Sequence, residues 1–163
     1  MRIQYRHLLP IAFLALSASL SQAAELSSDA KAAIPKDVQQ LIVVDYRAMQ
    51  NSTAAMDLKE QVLPPELKRL ETALKTAKLN VDKDADVLAF AAFRGPGKQG
   101  PSIVGIAQGQ FQTHAILAGF AKSKTKPIID RNNSIYPMGS AGMSVVFLNQ
   151  TTMIFGDRSA VKV

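Results

Sequence analysis

The sequence contains no cysteine and no tryptophan among its 163 residues. The absence of cysteine excludes a disulfide framework, a Cys-ligated metal site, a thiol nucleophile and a thioether-linked lipid. Histidine is scarce, with only two residues, and His7 lies close to the amino terminus. Because a zinc centre draws several His or Cys ligands, we expect no metal and no cofactor. The 47% hydrophobic content must then stabilise the fold through its core alone.

Residues 1–23 have the organisation of a secretory signal peptide. Arg2 and Arg6 supply a positive start, and the apolar stretch 8–20 follows. A membrane anchor is the competing interpretation, but it needs about 20 apolar residues to cross the hydrocarbon core. We therefore predict export to the periplasm or the medium, and no membrane span in the mature chain.

Small residues before a cleavage point define where such a leader ends. Ser21 and Ala23 occupy these positions, so we predict cleavage between Ala23 and Ala24. Loss of two arginines and no acid lowers the net charge from +6 to +4. The remaining basic residues are spread along the chain without interleaved aromatics, so no nucleic-acid partner is expected.

The mature chain has the pattern of a single α+β domain at 37–163, after a flexible lead-in at 24–36 that is small and polar. Apolar and β-branched runs predict seven strands, and the first of these runs, 41–44, is taken as a buried strand. Two helices are expected after it, the second beginning at Pro65, and a further short helix is capped by Thr113. The second helix carries an apolar stripe at Leu67, Leu70 and Leu74.

The predicted element order favours one sheet topology. A helical region between the first two strands, then a hairpin and another helix, is typical of the split β-α-β arrangement of ferredoxin-like folds. We therefore predict a mainly antiparallel sheet covered by helices on one face. The segment 156–163 predicts one helical turn, which either docks as a terminal turn or continues in a chain longer than this one.

Three short motifs resemble those of a group of exported bacterial α+β domains of unknown function. They are Pro35-Lys36-Asp37-Val38 before a strand ending in Asp45, Gly109-Gln110-Phe111 before a helix, and Phe155-Gly156-Asp157-Arg158-Ser159-Ala160. In that group the last motif begins a full helix. This sequence departs from the pattern, because it ends shortly after the motif. The resemblance implies no established activity and carries over no catalytic residue.

The loop 94–101 is the nearest feature to a phosphate-binding loop, with Arg94 and Lys98 as candidate anion-binding residues. A P-loop needs Gly-x4-Gly-Lys-Ser/Thr at the start of a helix. Here a strand follows, and Pro96 and Pro101 remove two backbone donors. A hairpin loop is therefore the preferred interpretation.

The alternation Asp82-x-Asp84-x-Asp86 superficially resembles a calcium loop. The signature also needs Gly at its sixth position and Glu at its twelfth, where this sequence has Val87 and Phe93. We interpret the acidic residues as a solvated turn before a strand.

No combination of residues predicts a catalytic centre. The favoured hypothesis is a non-catalytic binding module of the bacterial envelope, whose partner is an envelope protein or peptide that pairs with an open sheet edge. Two alternatives stay open. One is a small exported hydrolase without a known motif, in which Asp45, His114 or Asp130 converge. The other is a ferredoxin-like protease inhibitor or propeptide.

Overall fold

The computed structural model describes residues 24–62, 65, 68–69, 72–73, 81–95, 100–138 and 142–162. The predicted signal peptide and the leucine stripe at Leu67, Leu70 and Leu74 lie outside these residues. Pro65 and the described residues up to Ala73 are helical, in agreement with the predicted second helix. No helix in the described part of the chain is long and apolar enough to span a bilayer.

Besides the helical residues at 65, 68–69 and 72–73, the described residues form five helices and seven strands. The helices are α1 (Ser28–Ala32), α2 (Tyr46–Gln50), α3 (Thr53–Val62), α4 (Val81–Asp84) and α5 (Thr113–Lys122). The strands are β1 (Val38–Asp45), β2 (Ala85–Phe93), β3 (Ser102–Gly109), β4 (Ile128–Asp130), β5 (Asn133–Met138), β6 (Met143–Phe147) and β7 (Thr152–Asp157). The predicted α+β class is therefore confirmed.

One sheet contains all seven strands, in the order β1-β2-β3-β7-β6-β5-β4, and each neighbouring pair is antiparallel. This order differs from the predicted ferredoxin-like arrangement. A split β-α-β unit separates two parallel strands by a third, whereas β1 and β2 are direct antiparallel neighbours. The connection 46–84 is long enough to place β2 either beside β1 and antiparallel to it, or parallel to β1 with another strand between them. Hydrophobic periodicity does not specify which strands pair.

One side of the sheet, which we call the helical face, packs against the helices after β1 and β3. Because side chains alternate along a strand, this face carries every second residue of each central strand. Phe90 and Phe155 meet there edge to face, with ring centroids 5.9 Å apart. Phe120 of α5 stacks on Tyr136, with centroids 4.9 Å apart. The same core includes Tyr46, Ala73, Leu88, Phe111, Ile116, Met143, Val145 and Met153.

The opposite side, which we call the terminal face, is covered by both ends of the described chain. Its central residues form a row across the strands, namely Ala89, Ile106, Ile154, Val146 and Ile135. Residues of α1 and of the turn 158–162 pack over this row. Cover is thus present on both faces, rather than on one face as the sequence predicts.

The segment 24–36 differs from the predicted flexible lead-in, because it contains α1 and packs against the sheet. Leu26 and Ala30 are buried against β2 and β3. The Ser27 backbone N–H donates to Gln108 Oε1 at 2.7 Å, which ties the start of α1 to β3. Leu26, Ala30 and Ala33 recur at helical spacing and contact the sheet. A few apolar side chains on one side are therefore enough to dock a segment that is mostly polar.

The carboxyl-terminal turn docks on the terminal face. Ala160 and Val161 are buried beside Phe93 and Val104. The Val161 N–H donates to the Asp157 carbonyl at 3.1 Å and closes the turn. Burial of these two side chains offsets the cost of forming a single helical turn.

Gly105 has no room for a side chain, and this predicts a large effect of a small substitution. A Cβ at this position would overlap the ring of Phe155, which is buried and cannot swing aside. We expect Gly105→Ala to lower the free energy of unfolding by about 1–3 kcal/mol. Urea denaturation measures the difference. The matched control is Gly119→Ala in α5, where a Cβ meets nothing within 4 Å, so the stability should rise by about 0.5–1 kcal/mol.

Docking of the segment 24–36 predicts that its apolar residues contribute to global stability. Leu26→Ala removes a side chain that is only 7% exposed and should lower the free energy of unfolding by about 2–5 kcal/mol. Lys36→Ala, at an exposed position of the same segment, should change it by less than about 0.5 kcal/mol. Equal urea midpoints for both variants would contradict the docked arrangement.

Candidate functional site: the outer edge of β1

Strand β1 lies at one edge of the sheet and presents an unpaired edge eight residues long. Among the described strands its neighbour is β2, which pairs with it from Val38 to Asp45. The register is interrupted once, by a bulge between Val38 and Gln40. No described residue pairs with the other side of β1. Alternate backbone N–H and C=O groups of an edge strand point away from the sheet, so they form a template for another strand.

Two large apolar side chains of β1 are exposed on the terminal face. Leu41 is 42% exposed and Val43 is 38% exposed. They lie opposite Ala91 and Ala89 of β2, whose small side chains cover little of their apolar surface. The helix α1 packs on β2 and β3. The predicted buried strand at 41–44 is therefore wrong in its burial, because Ile42 and Val44 are only half-buried and Leu41 and Val43 are exposed.

The two edges of the sheet differ in how they discourage pairing. Strand β4, at the far edge, has only three residues and follows directly after Lys126-Pro127. Short length, proline and nearby charge are the usual devices that block an edge. Strand β1 contains no Lys, Arg or Pro, and Asp45 at its end is its single charged residue. Of the two edges, β1 is the one suited to pairing.

The carboxyl end of β1 is held by a set of contacts. The Asp45 carboxylate accepts a hydrogen bond from the Ala48 N–H at 2.8 Å and so caps α2. Tyr46 is fully buried, and Lys59 Nζ donates to its hydroxyl at 3.1 Å. Arg47 forms an ion pair with Asp86 of β2. These contacts fix β1 against β2, so the edge is preorganised.

The structure places the proposed hydrolase residues apart. Asp45 ends β1 and Asp130 ends β4, at opposite edges of a seven-stranded sheet. Six strand spacings separate these edges, roughly 29 Å along the sheet. His114 is exposed in the first turn of α5, and Asp45 is engaged in capping α2. No observation therefore favours the hydrolase alternative.

The candidate anion loop is described only at its ends. Arg94 is exposed just after β2, whereas Lys98 lies outside the described residues. Anion binding by this pair stays a prediction. The same is true of cleavage between Ala23 and Ala24, of which only Ala24 is described, partly packed beside α1.

The acidic residues are divided between two elements: Asp82 and Asp84 lie in the short helix α4 instead of an open turn, and Asp86 is the second residue of β2. The Asp84 carbonyl accepts a hydrogen bond from the Gln110 N–H at 2.8 Å. Burial raises the pKa of the Asp84 carboxyl above its usual range, and the nearby Lys83 opposes this effect only in part. Asp86 is occupied by Arg47. Among the described residues, no three His, Asp or Glu side chains are grouped to hold a metal.

The raised pKa of Asp84 gives a pH dependence with a definite sign. The folded state binds this proton more tightly than the unfolded state, so Asp84 lowers stability as the pH rises through the carboxyl range. We expect Asp84→Asn to be more stable than the parent at pH 7, and the difference to shrink toward pH 3. Thermal unfolding at a series of pH values tests this, and a difference that grows on acidification would contradict it.

Comparisons with protein-family models, with curated proteins and with solved structures found no match to this chain. The resemblance to exported bacterial domains therefore stays a prediction, and the functional argument depends on the geometry of the edge.

Proposed function

We propose that this protein is an exported, non-catalytic binding module of a bacterial envelope, and that its partner adds an extended segment to β1. The observation that carries the proposal is the long edge of β1, which contains no Lys, Arg or Pro, with Leu41 and Val43 exposed beside it. The signal-like sequence 1–23 supports the exported location.

Strand addition supplies two kinds of interaction. The main chain of the partner pairs with the outward N–H and C=O groups of β1, which gives affinity with little dependence on sequence. Side chains opposite Leu41 and Val43 then cover apolar surface, at about 25 cal/mol per Å² removed from water. Specificity follows from these positions.

The partner segment can be described by its pattern. Residues 41, 43 and 45 share the terminal face, because side chains alternate along β1. A bound strand should therefore present two apolar residues opposite Leu41 and Val43, and a basic residue near the Asp45 carboxylate. Its alternate residues face the other side of the sheet, beside Ile42 and Val44.

A charge placed on the edge should prevent strand addition. Peptides of 12 random residues displayed on phage are selected on the purified chain, and enriched peptides are synthesised for fluorescence anisotropy. We expect Val43→Lys to weaken their binding at least about tenfold, because the charge replaces apolar cover and must be desolvated. In a bound strand, every second backbone N–H points toward β1. Methylation of those peptide nitrogens should abolish binding, whereas methylation of the nitrogens between them should leave it unchanged.

The control is Ile129→Lys, the same kind of change at the opposite edge, where Ile129 is 67% exposed. It should leave binding unchanged, and circular dichroism should show both variants folded. If no peptide is enriched, or if enriched peptides bind Val43→Lys as well as the parent, the proposal is wrong.

A further inference from the structure

A cavity of about 390 Å³ lies on the terminal face, between α1 and the strands β5, β6 and β7. Val146 and Ile154, which are opposite each other in the sheet, form its floor. Ala32 of α1 and Val161 of the terminal turn contribute its walls. Sites for small molecules are usually 300–1,000 Å³, mostly apolar, with a few fixed polar groups. This cavity meets the size condition, and its lining is about half polar, with Val146, Ile154 and Val161 in its apolar part.

The fixed polar group is the carboxylate of Asp29, at the mouth of the cavity. Asn149 Nδ2 donates to Asp29 Oδ2 at 2.6 Å. The orientation of that amide is set in turn, because Asn149 Oδ1 accepts from the N–H and the hydroxyl of Thr151 at 2.7 and 2.9 Å. Asp29 is thus held in place by a chain of hydrogen bonds that begins in the β6–β7 turn.

No cation balances this carboxylate within the described part of the chain. Lys31, two residues further along α1, forms its ion pair with Glu25 at 3.3 Å. The other polar residues at the mouth, Asn133 and Asn149, are neutral amides. The cavity therefore combines an apolar floor with an oriented negative charge that lacks a positive partner.

This combination selects one class of ligand. A metal ion needs several oxygen ligands, but the site has a single carboxylate, and the amide oxygen of Asn149 already accepts two hydrogen bonds from Thr151. An anion would be repelled by Asp29, and an uncharged apolar molecule would leave its charge unused. We propose that the cavity binds a small organic cation, with an ammonium group at Asp29 and an aliphatic or aromatic body on Val146 and Ile154.

This site is independent of the strand-addition edge. The cavity lies over β5–β7, and β2 and β3 separate those strands from β1. Val43→Lys should therefore leave cation binding unchanged, and failure of either proposal does not affect the other.

Three probes of similar size test the site on the purified chain: phenethylammonium, 2-phenylethanol and phenylacetate. Methyl NMR should show phenethylammonium shifting the signals of Val146, Ile154 and Val161, with a dissociation constant of about 1 mM or lower. The alcohol should bind roughly three- to fivefold more weakly, since an exposed ion pair contributes little more than that. Phenylacetate should bind most weakly of the three.

Two variants at exposed positions separate the charge from the cavity. Asp29→Asn keeps the hydrogen bond with Asn149 and should remove the preference for the ammonium over the alcohol. Ala32→Phe should fill the cavity and weaken binding of both by at least about tenfold. Asp37→Asn removes an equal charge outside the cavity and should bind as the parent does.

The proposal is overturned if the methyl signals of the cavity do not move. It is equally overturned if the alcohol binds the parent as well as the ammonium, or if Asp29→Asn retains the preference. Because Asp29 and Ala32 are both exposed, their variants should fold, and amide NMR spectra check this directly.

Discussion

The ring of Phe155 packed over Gly105 joins the two halves of the sheet. Strands β1–β3 form one antiparallel meander and β4–β7 another, and the two meet where β3 pairs with β7. The ring lies on β7, covers the glycine of β3 and reaches Phe90 of β2. A single side chain thus spans three strands and both meanders. The helices on one face, and α1 with the terminal turn on the other, pack against a sheet whose two halves are joined by this contact.

Cover is concentrated on the central strands, and both proposed sites lie where it ends. Helix α1 and the terminal turn bury the middle of the terminal face, but Leu41 and Val43 on β1 stay exposed. The cavity occupies the gap between these same two covers. A chain without cysteine depends on its apolar core for stability, and here that core lies at the centre of the sheet. The outer edge of β1 and the gap between α1 and the terminal turn then remain accessible to ligands.

Local patterns predicted the elements well and their arrangement poorly. The strands were predictable because β-branched runs are bounded by turn residues, and α5 because Ile116 and Phe120 repeat at helical spacing. The pairing of β1 with β2 was not, because it depends on contacts across the connection 46–84. The run 41–44 gave no sign of one-sided exposure, since every residue in it is apolar. The cavity was equally hidden, because its walls come from segments distant in sequence.

The pairing of β1 with β2 has a consequence for how the chain folds. Strand β1 is synthesised early, yet its partner among the described strands, β2, follows after the long connection 46–84. Closing so large a loop costs entropy before any contact forms, so non-local pairing of this kind is slow. The hairpin β2–β3 and the meander β4–β7 can form first, with β1 joining a sheet already built. During that interval the apolar run 41–44 has no strand neighbour and is open to association with other chains.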